Sequence, residues 1–161
     1  MESRAKAFGH PIHPMLIVFP LGLLATGVIF DIVYLSTDDP TFAVVSFWML
    51  VAGVTGGLLA AFFGLLDWLA IPRGTRAKSV GLWHGIGNVI VTAFFVISVL
   101  LRQGSPDHMP SGTALALSFV GAALALVTGW LGGELVYRLG VGVDRGAGLD
   151  ASFSMGDDDD T

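Results

Sequence analysis

The chain has 161 residues, 53% of them hydrophobic and 13% charged, with eight Lys and Arg, thirteen Asp and Glu, and no cysteine. Such a length is ordinary for one domain, and the charged share is about half that of a soluble one. Disulfides, thiolate nucleophiles and cysteine-held metals are excluded, and so is a basic patch sized for nucleic acid, since the net charge is −5.

In chain order, the first nine residues are short and mildly basic. The apolar run after them is too long for a signal-peptide core and lacks a cleavage site, so a retained first helix is expected. At its head stands His10-Pro11-Ile12-His13-Pro14. A residue before proline avoids the helical region, so both histidines are expected to be extended, with His13 at or beside the N-cap. Pro14 suits the first turn, where its missing N–H costs nothing. A bilayer-spanning helix needs about 20 apolar residues, and the first such span runs over 14–35. Asp31, near its outer end, reads as a solvated carboxylate. Ser36-Thr37-Asp38-Asp39-Pro40 ends the span.

The second span, over 42–71, is longer than a bilayer requires and should tilt or overrun the interface. Ala52, Gly56, Ala60 and Gly64 recur every fourth residue, a ridge that permits close helix packing. Asp67 follows in Gly64-Leu65-Leu66-Asp67-Trp68. Its carboxylate would orient a histidine's second nitrogen or pair with Arg73 or Arg76. After Pro72-Arg73-Gly74-Thr75 the third span covers 80–101. There His84, in the second turn, Asn88 and Thr92 make a polar stripe at four-residue spacing, expected to face the bundle interior, beside the small pair Gly81 and Gly85. Gly104-Ser105-Pro106 separates it from the fourth span, 113–139. That span carries the ridge Gly121, Ala125, Gly129, Gly133, and Glu134 with Arg138 one turn on, a favourable ion-pair spacing. Residues 141–161 read as a flexible tail ending in four aspartates, Asp157 to Asp160.

Positive charge marks the cytoplasmic flanks of membrane proteins. Arg4, Lys6, Arg73, Arg76, Lys78, Arg138 and Arg145 fall on one side and only Arg102 on the other. The expected architecture is therefore an all-α, up-and-down four-helix transmembrane bundle, in the cytoplasmic membrane, with both termini inside. In that frame His10, His13, Asp67, His84 and Glu134 gather at the cytoplasmic end. Ionisable groups inside spans point to function unless a partner explains them. His13 and His84, on the first and third helices, would face each other across the core. Opposed imidazoles are the axial set of a b-type haem, with Asp67, Asn88 and Glu134 as supporting partners. Alternatively His10, His13 and His84 would hold a transition metal. Against both stands a plain packing role, each polar group tying two helices together.

Three strings together suggest a family. His10-Pro-Ile-His-Pro-Met-Leu-Ile-Val-Phe-Pro-Leu-Gly22, Gly64-Leu-Leu-Asp-Trp68, and Leu82-Trp-His-Gly85 with Asn88 resemble the DUF2231 family of small prokaryotic membrane proteins. The resemblance covers roughly residues 8–140. Similar domains occur joined to Rieske-type iron–sulfur domains, which implies redox work, and this chain has only a short Gly- and Asp-rich tail in that place. Any electron partner would then be a separate polypeptide.

The leading expectation is a membrane redox or metal-binding component, with haem b its most specific form. Its partners would be the bilayer, a redox or other membrane protein, and a second copy of the chain. The alternative is a structural or accessory subunit with no cofactor of its own. Transport fits less well, because the middle depth of the spans is almost wholly apolar. Nucleophile–base pairs and phosphate-binding glycine loops are lacking, which argues against an enzyme acting alone.

Overall fold

Each apolar run becomes a helix bounded by a residue that ends it or satisfies its free backbone groups. In the computed structural model, which describes residues 1–154, α1 spans Ile12–Thr37 and stops at Asp38 in the left-handed region, φ 54°. Helix α2, Pro40–Ala70, starts where the Asp39 carboxylate accepts the Thr41 N–H at 2.9 Å. Helix α3, Arg76–Arg102, is capped by the Thr75 hydroxyl, which accepts the Lys78 N–H at 3.1 Å. This cap starts α3 earlier than hydropathy alone suggests, so His84 lies deeper in it than the second turn. Helix α4, Gly112–Gly133, is capped by Ser111 and widens into a π turn over Glu134–Arg138. The acidic run Asp157 to Asp160 lies outside the described residues.

The start of α1 departs from expectation. His10 is extended, in a two-stranded hairpin of β1, Lys6–Ala7, and β2, His10–Pro11. His13, expected to be extended as well, lies in the first turn of α1. The first N–H groups of a helix have no intrahelical partner, so Pro14 removes none. The Ile12 N–H donates instead to Ala5 O at 2.9 Å, which ties the helix start to the segment before it. That tie outweighs the steric preference of the residue before proline.

The helices pack as two hairpins. α1 lies along α2 and α3 along α4; α2 and α3 touch over a shorter stretch, and the seam between α1 and α4 is the loosest. Glycines set the close approaches. A Cβ at Gly27 would stand 2.7 Å from Leu50, one at Gly53 would stand 2.7 Å from Leu24, and one at Gly121 would stand 3.1 Å from Phe95. Of the expected ridges, Gly56 meets Pro20 and Gly64 meets His13, whereas Gly85 and Gly129 face open space. The tight contacts on the third and fourth helices come from the expected Gly81 and Gly121 and also from Gly87 and Gly132.

Solvent is legible in what is exposed. Leu126 (77%), Val89 and Trp130 stand out from the bundle, while Asp31, Ser46, Ser98, Arg102 and Ser118 are fully buried. An apolar outside around a polar inside is stable only in lipid. Four helices are long and apolar enough to cross a membrane. The apolar core between them is Phe47, Leu50, Val91, Phe95 and Val99.

Candidate functional site

The N-terminal residues, the turn after α4 and the α2–α3 loop lie at one end of the bundle, where the first polar centre sits. His13 of α1 and His84 of α3 approach across the diagonal, with ring centroids 6.5 Å apart and planes at 87°. His13 Nδ1 stands 2.7 Å from Ala60 O of α2, and His84 Nδ1 stands 2.9 Å from Thr128 O of α4. A carbonyl only accepts, so both Nδ1 atoms donate, and the nitrogen of each ring left for another partner is Nε2. Each ring rests on a glycine. A Cβ at Gly64 would stand 2.9 Å from His13 Cε1, and one at Gly132 would stand 3.1 Å from His84 Cε1. The two imidazoles thus touch all four helices.

Asn88 joins them as expected from its spacing. Its Nδ2 donates to His84 O at 2.9 Å and lies 3.2 Å from His84 Nε2, and its Oδ1 accepts from the Thr128 hydroxyl at 3.1 Å. The other candidates go elsewhere. Asp67 pairs with neither Arg73 nor Arg76; it accepts from the Ser3 hydroxyl at 2.6 Å and the Arg4 N–H at 2.9 Å. Glu134 meets Arg76 at 2.5 Å, while Arg138, its expected i,i+4 partner, stands at 3.9 Å. The expected pair with Arg138 is thus kept, and bundle geometry brings α3 and α4 close enough to add a closer cross-helix arginine. His10 is exposed and faces the Ser154 hydroxyl at 3.3 Å. Among the described residues no three His, Asp or Glu converge on a metal-sized site, so His10 does not join the other two histidines.

Beside the pair lies a groove of about 420 Å³ along the α1–α4 seam, lined among others by Pro14, Gly129, Gly132, Gly133 and Tyr137. Gly132 belongs to both, with His84 on one side and the groove on the other.

The model of the family described as predicted membrane protein, DUF2231, matches residues 9–145. The chain belongs to the DUF2231 family. Nothing matches among curated proteins or solved structures. The stretch matched takes in all four spans of this DUF2231 member and both histidines of the pair.

A second polar centre lies at the far end, built around Asp31 and Arg102. Asp31, expected to be solvated, is fully buried and bridges Arg102 with two 2.7 Å bonds. Ser46 donates to Asp31 at 2.6 Å, and the guanidinium also reaches Ser46, Ser98 and Ser118 at 3.2 to 3.3 Å. All five guanidinium N–H groups therefore have an acceptor. The available signal was that the far side holds one base, Arg102, level with one acid inside a span. The serines gave none. His108, also unforeseen, stacks on Phe47 at 3.8 Å with its Nδ1 buried and unbonded.

Proposed function

We propose that this integral membrane protein is a redox or metal-binding component whose ligand is held by the Nε2 atoms of His13 and His84. The observation that carries the reading is the paired geometry. Two imidazoles sharing one ion at about 2 Å from each Nε2 place their ring centroids roughly 6 Å apart, and these stand at 6.5 Å. Each ring also gives its other nitrogen to a backbone carbonyl, the arrangement that fixes the tautomer of a metal-bound histidine. Haem b is the most specific version. His13 and His84 would hold it, and the α1–α4 groove lies next to them at Gly132. Bound there, haem would supply one-electron chemistry, and this chain would orient the ligand imidazoles and exclude water from them.

An ultraviolet–visible spectrum with metal analysis, on protein purified in detergent from haem-replete cells, tests the reading. A reducible Soret band or a stoichiometric metal, lost in His13→Ala and His84→Ala, is the expected result. Colourless, metal-free protein overturns it.

A second reading has its own observation. Asn88 already faces His84 Nε2, and both rings already bridge helices. Under it the protein is a structural or accessory subunit. Replacing either histidine then lowers the melting temperature of a protein that never held metal.

A further inference from the structure

At the end that carries the histidine pair, α1 is the short helix. His13 lies in its first turn, whereas His84 lies roughly 12 Å in from the start of α3 at Arg76. Residues 1–11 lie at this end, tied to α2 and to the turn after α4. Ser3 is 8% exposed although it stands only two residues from the terminus.

The segment is tied down on both sides of the pair. On α2, Asp67 lies one turn beyond Gly64, the glycine under His13, and accepts the Ser3 hydroxyl and the Arg4 N–H. Bonds to a carboxylate from O–H and N–H donors are among the stronger ones. Past the end of α4, the Met1 ammonium donates to Gly140 O at 2.6 Å, and the Gly142 N–H donates to Met1 O at 2.7 Å. Ala5 O, just after these anchors in the chain, holds the Ile12 N–H. The strap therefore runs from α2 to the end of α4, the two helices whose carbonyls hold the imidazoles. Its hairpin turn puts Phe8 (φ 51°) and Gly9 (φ 80°) in the left-handed region, a conformation a phenylalanine adopts only when neighbours enforce it.

We propose that residues 1–11 are a plug closing the aqueous route to His13 and His84, with Asp67 as its latch. A water-borne ligand then reaches the pair only when the plug lifts. The proposal rests on reading the pair as a ligand site, and its test separates the two.

The experiment is carbethoxylation of histidines by diethyl pyrocarbonate, on the full chain in detergent after metal stripping, followed residue by residue by mass spectrometry. In the unmodified chain His10, which is exposed, reacts fast and His13 and His84 react slowly. Asp67→Ala raises the rates at His13 and His84 about tenfold, since protection measures how often the segment opens, and leaves His108 at the far end unchanged. Asp67→Asn, whose amide oxygen still accepts from Ser3 and Arg4, stays within about threefold of the unmodified chain.

Two results overturn the plug: His13 and His84 reacting as fast as His10 from the start, or no acceleration in Asp67→Ala. If Asp67→Ala also changes His108, Ser3→Ala decides. A rise confined to His13 and His84 supports the plug, and no rise overturns it. Zn²⁺ added to Asp67→Ala protects both histidines if they share an ion. Absence of that protection defeats the shared-metal form of the ligand reading, the spectrum judges the haem form, and the rates on stripped protein still judge the plug.

Discussion

Arg102 shows how far a single residue's chemistry depends on what meets it. Read in the sequence it is the one positive charge on the far side, and in the structure it is fully buried with every N–H bonded. Its acceptors come from all four helices, with Asp31 and Ser46 on the α1–α2 hairpin and Ser98 and Ser118 on the α3–α4 hairpin. Breaking a buried ion pair by removing one partner costs about 3–5 kcal/mol, because the other charge is stranded, whereas replacing both together is often nearly neutral. Arg102→Leu and Asp31→Leu are each expected to lower the melting temperature sharply in detergent, and the double variant to recover most of the loss. A double variant no better than the singles would mean that the serines, not the charge pair, hold the hairpins together. Asp31 was misread for a physical reason: hydropathy gives depth along one helix, and a partner on a helix distant in sequence is visible only after packing. For His84 the four-residue stripe through Asn88 marks the face locally, whereas the proline rule puts His13 before α1 and the structure puts it in the first turn.

At the level of elements, glycines and caps decide where each helix lies. Gly64 and Gly132 leave room for the His13 and His84 rings, while Gly85 and Gly129 meet nothing within 4 Å. Gly64→Ala and Gly132→Ala are therefore expected to destabilise by about 1–3 kcal/mol through overpacking and to displace the rings. Gly85→Ala should be neutral, or stabilising by about 0.5–1 kcal/mol through helix propensity. Thermal unfolding monitored by circular dichroism separates the two classes. The four-residue ridges thus gave the right helices and only some of the right glycines, because spacing marks a face without saying which neighbour it meets. The α2 cap adds a pH dependence. The Thr41 N–H holds the Asp39 carboxyl below its usual 3.8. A lowered folded pKa means that the cap contributes fully above 3.8 and fades as pH falls through the lower folded value. The difference in melting temperature between the unmodified chain and Asp39→Ala should therefore close below that pH. A difference that stays constant into strong acid would show that the carboxylate does not cap α2.

For the whole molecule, the membrane and the four spans are legible because they depend on composition and on runs of about 20 apolar residues. Which side the histidine pair faces depends on charge. The burial of Arg102 sharpens the charge argument, since a guanidinium neutralised by Asp31 inside the bundle is no flank charge at all. The remaining Lys and Arg all lie at the end with the N-terminal strap, and the positive-inside tendency predicts that this end is cytoplasmic. A fluorescent protein fused after the last residue is then expected to fluoresce, alkaline phosphatase fused there to be inactive, and phosphatase inserted at Asp38, between α1 and α2, to be active. The reverse pattern would put the histidine pair and its strap on the outer face. Any electron or metal donor to the pair would then have to be sought outside the cell membrane, and not among cytoplasmic proteins.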